Sequence, residues 1–286
     1  MANLAQTLAL LAMAMAIAAI KEVPLDMAQG SFDDQYQGCG PAMTEALPAL
    51  NRSDFEQNPL FAQAWPKARA EWQNRGSPLS PLSSPAQAIA LMAYTMNELK
   101  LYKEFNDAVR VAWNSSQEYR DNFHFKTLHF LLTQALAMLR KAPTGKCQNV
   151  YRGVSEYRFQ AKAGDIVRFG QFASASQSEI TAETYGSATV FHVYTCHGAE
   201  ISSFSKYPQE KEVLIPPFET FKVIEVGQEG QRAKIQLRST GTFSKHNCEW
   251  LKGDATGDSW GVPRATFHVG GLLLATTALA VATGIL

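Results

Sequence analysis

The chain has 286 residues, and its 26 basic and 26 acidic side chains give a formal net charge of zero. A chain of this length buries a substantial core, as one large domain or two small ones. Because the charge is balanced, no overall field attracts nucleic acid or an anionic membrane surface, and neither is an expected partner. The hydrophobic fraction of 46% is ordinary, but the two ends hold much of it.

The amino terminus is an uncharged apolar run that stops at Lys21. A run of this length can form a buried helix or a membrane span. Its terminal position and the small residues Ala16, Ala18 and Ala19 favour a secretory signal peptide at residues 1–20, although no Lys or Arg precedes the run.

The carboxyl terminus ends in a second apolar run, VGGLLLATTALAVATGIL, at residues 269–286. Small residues at Gly257-Asp258-Ser259 and a spacer through His268 precede it, an arrangement typical of a GPI-anchor signal whose tail is removed. A retained membrane helix is an alternative by length, and a tail processed on secretion is another. We expect an anchor signal or propeptide at residues 257–286, which leaves a single folded domain at residues 21–256.

An even number of cysteines in an oxidising compartment indicates two disulfides among Cys39, Cys147, Cys196 and Cys248. Three pairings are compatible with the sequence. No pair has the spacing of a zinc site, so no metal centre is expected. Sequons at Asn51 and Asn114 would place their loops on the surface if they are glycosylated.

The predicted elements change type along the chain. Ser84-Pro85 starts a helix, and a face of apolar residues follows at steps of three and four, from Ile89 to Tyr102. A second helix is predicted from about Phe123 to Lys141. After Cys147 the period becomes two, and short strands are predicted at 150–152, 166–169, 189–196, 213–215, 221–226 and 233–237.

Helices followed by strands indicate an α+β protein, with a helical part at about 21–145 and a β core at about 146–250. No G-x-G-x-x-G motif follows a strand, so a Rossmann-type dinucleotide site is not expected.

Four features of the β core could carry chemistry: Arg152-Gly153, the S-x-S run Ser174-Ala175-Ser176, Tyr185, and the acidic pair Glu210 and Glu212. Alone, each has an ordinary explanation, such as an edge-strand arginine, a polar loop or a packed aromatic. Two carboxylates at i and i+2 of a strand point to the same side. Like charges so close repel, which a purely structural site avoids, so the pair indicates function.

In this order, the features resemble the animal ecto-mono-ADP-ribosyltransferases, which are related to bacterial toxins that modify arginine. That family carries an arginine on one strand, S-x-S on the next and E-x-E at the end of a loop. Flanking segments match as well: VPLDMA at 23–28, FDDQY at 32–36, FHFK at 123–126 and EVLIPPFE at 212–219. The resemblance spans roughly residues 20–250. It implies a helical N-terminal part packed on a β-sandwich core whose sheets split to receive NAD.

The resemblance implies a role for each residue on the donor side. Arg152 would bind the NAD pyrophosphate, for which a forked guanidinium is well shaped. The backbone of Gly153 would approach the nicotinamide carboxamide, and Tyr185 would stack on the nicotinamide ring, where the family usually has Phe. Ser174 would orient Glu212, and Glu212 would hold a ribose hydroxyl beside the breaking glycosidic bond.

On the acceptor side, the resemblance implies that Tyr207 and Glu210 bind the arginine that is modified. A guanidinium has a pKa above about 12 and is a poor nucleophile while protonated, so a carboxylate that draws its proton is needed. The expected reaction is transfer of ADP-ribose from NAD, or NADP, to arginine side chains of acceptor proteins. Nicotinamide leaves, and neither a metal nor a permanently bound cofactor is required.

The resemblance also implies the disulfides Cys39–Cys248 and Cys147–Cys196. The two terminal apolar runs indicate a secreted or GPI-anchored location, and we expect a monomer. Two alternative functions remain: an NAD glycohydrolase, and a non-catalytic surface recognition protein on the same scaffold. Family members without the first carboxylate lean towards hydrolysis, but Glu210 is present, and a decayed scaffold would be expected to lose its Arg-Ser-Glu triad first. No Ser-His-acid arrangement is evident, so no role is assigned to His124, His129, His192, His197 or His246.

Overall fold

The computed structural model describes residues 20–113, 115–141, 146–230 and 232–253. All but Ile20 of the expected signal peptide, the expected anchor signal at 257–286 and the sequon residue Asn114 lie outside these ranges. The chain divides into two units after Lys252, and the features below belong to the first. Within the described ranges, no helix combines the length and the apolar character needed to cross a membrane.

Six helices of the described chain precede the main sheet: α1 Gly40–Gln57, α2 Pro59–Asn74, α3 Pro85–Thr95, α4 Leu101–Val111, α5 Ser116–Asn122 and α6 Lys126–Lys141. α3 begins at Pro85 after Ser84, as the sequence predicts, but it ends at Thr95. Lys100 then adopts a left-handed conformation, with φ 52°, and starts α4, so Tyr102 belongs to a separate helix. The predicted continuous helical face to Tyr102 is therefore wrong.

Two further features of the helical part differ from the sequence expectations. The second predicted helix, expected from about Phe123, begins as α6 at Lys126. The N-terminus of α6 is capped from outside, because the buried carboxylate of Asp54 accepts a hydrogen bond from the backbone N–H of Thr127 at 2.7 Å. The sequon residue Asn51 lies within α1 and not in a loop.

The strands are β1 Lys21–Pro24, β2 Gln148–Val154, β3 Tyr157–Gln160, β4 Ile166–Val167, β5 Ala173–Ser176, β6 Thr189–Thr195, β7 Ala199–Glu200, β8 Glu212–Ile215, β9 Glu219–Glu229 and β10 Arg232–Thr242. β1 pairs with β3 in a small parallel sheet. The others form one sheet in the order β4-β9-β10-β6-β2-β5-β8-β7. The β6–β10 pair is parallel and its other pairs are antiparallel. A short helix α7, Glu179–Thr184, connects β5 to β6.

The large sheet divides between β2 and β5. β2 pairs with β6 along its whole length, from Gln148 to Val154. Its ladder with β5 consists of the single pair Tyr151–Ser176. The strands β4, β9, β10, β6 and β2 thus form one half and β5, β8 and β7 the other, which agrees with the expected split sheet. The predicted α+β class is confirmed.

Two hydrophobic cores hold these layers together. The larger core is made mainly by the helices and includes the fully buried Phe61, Phe105 and Leu132. It reaches the β part through Phe204 and Leu214. The second core lies against the sheet and includes Val150, Phe191, Phe221 and Ile235.

Three ties join distant parts of the chain. The disulfide Cys39–Cys248 links the start of α1 to the end of the described chain. The disulfide Cys147–Cys196 links the neighbouring ends of β2 and β6. The guanidinium of Arg168, which follows β4, forms an ion pair with the carboxylate of Asp33, and both side chains are fully buried.

Candidate active site

The split in the sheet opens a cleft with a volume of about 710 Å³. Its lining includes every residue predicted to bind donor or acceptor: Arg152, Gly153, Ser174, Tyr185, Tyr207, Glu210 and Glu212. These residues come from β2, β5, the position just after α7, the segment before β8 and β8 itself, so the fold brings together side chains that are far apart in sequence.

Arg152 lies on β2, directly after the last residue that pairs with β5. Its side chain is half-buried, and Nη1 donates a hydrogen bond to the carbonyl oxygen of Ser174 at 2.6 Å. Burial lowers the pKa of Arg152, while the nearby Tyr94 and Glu212 raise it. An arginine remains charged under these conditions, so the cleft carries a fixed cation beside the split.

Gly153 has a structural reason to be glycine. A Cβ atom at this position would lie 2.2 Å from the carbonyl oxygen of Ala182 and 2.3 Å from that of Gly186. The end of α7 therefore packs directly on β2, which places Tyr185 at the cleft. The expected approach of this backbone to the nicotinamide carboxamide stays a prediction.

The S-x-S run on β5 holds the acidic pair from two points. β5 and β8 are antiparallel, with Ser176 opposite Glu212. The Ser174 hydroxyl hydrogen-bonds Glu212 and lowers the pKa of its carboxyl. The Ser176 hydroxyl donates to the backbone carbonyl oxygen of Glu210 at 2.7 Å. The second serine of the motif, for which the sequence suggests no role, thus fixes the backbone of the first glutamate.

The two glutamates do not share a strand, and the prediction that strand geometry puts them on one side is wrong. Glu210 ends a short 3-10 helix, Pro208–Glu210. Glu212 begins β8. Lys211 between them is left-handed, with φ 48°, and turns the chain. Both carboxylates still line the cleft. Glu212 is only 7% exposed, whereas Glu210 is half-buried.

The Glu212 carboxylate has a second hydroxyl partner that sequence reasoning missed. Ser205 is fully buried, donates from Oγ to Oε2 of Glu212 at 3.1 Å, and accepts from the backbone N–H of Tyr207 at 3.1 Å. Burial raises the pKa of Glu212, and the hydrogen bonds from Ser174 and Ser205 lower it. A lone loop serine has no sequence signal that would have identified it.

Two of the tyrosines that line the cleft come from different parts of the fold. Tyr185, just after α7, is 50% exposed, and its hydroxyl donates to Oε1 of Glu210. Burial and the hydrogen bond to Glu210 raise the pKa of Tyr185. Tyr94 of α3 is buried and donates to the carbonyl oxygen of Phe172 at 3.0 Å. Burial raises its pKa to about 12. Tyr94 belongs to the helical part, where no motif identified it.

No histidine is among the cleft-lining residues that the structure describes. His129 and His246 are buried, and burial lowers the pKa of His129 to about 3 and that of His246 to about 4. In the ranges that the structure describes, no group of three or more His, Cys, Asp or Glu side chains could hold a metal ion.

Comparison with known proteins decides the family. A family model described as NAD:arginine ADP-ribosyltransferase matches residues 25–245. The chain belongs to this family. The resemblance inferred from the motifs is thereby confirmed.

Relatives of this ADP-ribosyltransferase are similar over most of its length. The GPI-linked NAD(P)(+)–arginine ADP-ribosyltransferase 1 of Mus musculus is 49% identical over 243 residues, which is 81% of this chain and 74% of the relative. The erythroblast NAD(P)(+)–arginine ADP-ribosyltransferase of Gallus gallus is 50% identical over 235 residues, covering 82% and 78%.

Solved structures show the same fold. The crystal structure of the eukaryotic mono-ADP-ribosyltransferase ART2.2 has a TM-score of 0.67 and 35% identity, and the match covers 79% of this chain and 98% of that one. A mutant of ART2.2 in complex with NAD matches with the same TM-score, 0.67. The expected ADP-ribosyltransferase fold is confirmed.

Proposed function

We propose that this chain transfers ADP-ribose from NAD to arginine side chains of acceptor proteins, with Arg152, Ser174, Glu210 and Glu212 as its functional residues. The observation that carries this proposal is the presence of all four in one cleft at the split of the sheet. The names of the relatives, which specify NAD(P)(+) and arginine, support it.

On the donor side, the Arg152 guanidinium matches the NAD pyrophosphate in charge and shape. When the bond between nicotinamide and ribose breaks, its electron pair leaves with nicotinamide and positive charge develops on the sugar. The buried carboxylate of Glu212 stabilises that charge more in the transition state than in the ground state. Ser174 and Ser205 favour its ionised form.

On the acceptor side, an arginine nitrogen forms the new bond to the ribose and must lose a proton. Glu210 receives this proton, because its half-buried carboxylate lines the same cleft as Glu212. Tyr207, at the start of the short 3-10 helix, borders the path by which the acceptor enters.

Two substitutions test whether the carboxylates of Glu210 and Glu212 have different roles. Glu212→Gln should lower both transfer to agmatine and NAD hydrolysis by about 10²–10³, since it removes a preorganised charge at a developing cation. Glu210→Gln should lose most of its transfer activity and keep substantial hydrolysis, because water does not need that carboxylate. Labelled NAD is incubated with agmatine, and ADP-ribosylated agmatine is separated from free ADP-ribose.

NAD binding, measured separately on each variant, controls for misfolding. If Glu210→Gln removed hydrolysis as completely as Glu212→Gln, the division of labour would be wrong and the pair would act as one coupled site.

We further propose that the protein follows the secretory pathway and reaches the cell surface through a GPI anchor, or is secreted, as a monomer. The GPI-linked relatives support the anchor. Residues 1–20 would then be the signal peptide, residues 21–256 the catalytic domain, and residues 257–286 the segment exchanged for the anchor. NADP is an alternative donor, which the relatives' names include.

A further inference from the structure

We propose that the hydroxyl of Tyr185 positions Glu210 for the acceptor, and so sets how ADP-ribose is divided between arginine and water. The inference rests on the proposed role of Glu210 as the carboxylate that receives the acceptor. In this role Tyr185 is a positioning residue, in addition to its expected contact with the nicotinamide ring.

The Tyr185 end of this hydrogen bond is anchored to β2. The backbone N–H of Tyr185 donates to the carbonyl oxygen of Ala182 at 3.1 Å. That same carbonyl fills the space where Gly153 would carry a Cβ. Gly186 is held as closely, because a Cβ there would lie 2.1 Å from the backbone nitrogen of Ser155. The phenol therefore projects from a segment with little freedom to move.

The Glu210 end is anchored to β5. Its carbonyl oxygen accepts from the Ser176 hydroxyl at 2.7 Å, and its N–H donates to the carbonyl oxygen of Tyr207 at 3.1 Å. Only the side chain is left to be fixed, and the Tyr185 hydroxyl fixes it at Oε1. The hydrogen bond thus connects the two halves of the split sheet across the cleft.

This arrangement favours arginine over water for a physical reason. A glutamate side chain has several rotatable bonds, and ordering them when a ligand binds costs free energy. The bond to Tyr185 supplies that order before the acceptor arrives and leaves Oε2 to meet the guanidinium. Water gains nothing from it, because hydrolysis does not use Glu210.

Tyr185→Phe removes the hydroxyl and keeps the ring. The ratio of ADP-ribosylated agmatine to free ADP-ribose should fall about three- to ten-fold, mainly through a higher KM for agmatine, as expected for one lost hydrogen bond to a partly exposed carboxylate. The matched control is Tyr194→Phe, outside the cleft, where the tyrosine ring stacks with Arg238. That variant should leave the ratio unchanged.

The decisive measurement repeats Tyr185→Phe in the Glu210→Gln background, at agmatine concentrations that keep residual transfer measurable. If the phenol acts through Glu210, the second change should alter the ratio less than about two-fold. Thermal unfolding and NAD binding of each variant confirm that the fold and the donor site are intact.

The outcomes separate this inference from the proposed function. An unchanged ratio in Tyr185→Phe, together with a lowered ratio in Glu210→Gln, would overturn the positioning role and leave the role of Glu210 standing. Equal effects of Tyr185→Phe in both backgrounds would show that the phenol acts independently of Glu210. An unchanged ratio in Glu210→Gln would overturn the assignment of Glu210 itself, and the inference with it.

Discussion

Ser205→Ala should move the acid limb of the pH–activity profile to higher pH. Glu212 must be ionised to stabilise positive charge on the ribose, and burial raises the pKa of its carboxyl. The hydrogen bond from Ser205 acts in the opposite direction, because it stabilises the charged form. Its removal leaves a carboxyl that takes up a proton at a higher pH, so activity is lost earlier as the pH falls.

The size of the shift follows from the geometry. A hydrogen bond to a charged group contributes about 1.5–3 kcal/mol, and about 1.4 kcal/mol corresponds to one pKa unit. The distance from Ser205 Oγ to Glu212 Oε2 is 3.1 Å. This is longer than a strong charge-assisted O–H···O bond, which places the effect at the lower end of the range. We therefore expect a shift of about one pH unit.

The assay is kcat/KM for NAD hydrolysis as a function of pH, which reports the groups that titrate in the free enzyme. Ser202→Ala is the matched control, because the buried hydroxyl of Ser202 has no hydrogen-bond partner within the described part of the chain. A profile of Ser205→Ala that coincides with the wild type would refute the role of this hydrogen bond. So would an equal shift in Ser202→Ala.

Two predictions concern stability. Burial lowers the pKa of His129 to about 3 and that of His246 to about 4 in the folded protein, so both bind protons more readily in the unfolded chain. As the pH falls below about 6.5, each histidine should therefore lower the free energy of unfolding by about 1.4 kcal/mol per pH unit. Urea unfolding between pH 7 and 5 should therefore show a shallower dependence in His129→Phe than in the wild type, and equal slopes would contradict this. Asp33→Asn leaves Arg168 buried without its counter-charge and should cost about 3–5 kcal/mol. Glu183→Gln, which breaks an exposed pair with Arg232, should cost less than about 1 kcal/mol in the same unfolding experiment.

The sequence predicts those parts of the site that follow a regular pattern. Period-two alternation locates β2 and β6, and fixed motifs locate Arg152, Ser174 and Glu212. The sequence-based predictions of local structure are wrong where a residue other than glycine adopts a left-handed conformation and breaks the regular pattern. Left-handed Lys100 ends one helical face, and left-handed Lys211 separates the two glutamates. Non-glycine residues in this conformation are uncommon, so neither break could be anticipated.

Long-range contacts account for the other misses. Tyr94 lines the cleft and Ser205 hydrogen-bonds Glu212, each from a segment without a motif, and only packing reveals them. The cap that Asp54 provides for α6 is of the same kind, because its partner Thr127 lies far along the chain. A single sequence carries no record of such contacts.

Arg152 has a structural role as well as a chemical one, and this affects how the site can be tested. Backbone pairing between β2 and β5 is limited to Tyr151 and Ser176. The guanidinium of Arg152 adds a further contact between these strands, because it donates a hydrogen bond to the Ser174 carbonyl oxygen at 2.6 Å. Replacing Arg152 would therefore remove the expected pyrophosphate ligand and loosen the contact between the two halves of the sheet. The resulting loss of activity could not be assigned to either cause. Ser205 lies outside this junction and its partner Glu212 belongs to one half of the sheet, so Ser205→Ala reports on the chemistry and leaves the contacts between the halves in place.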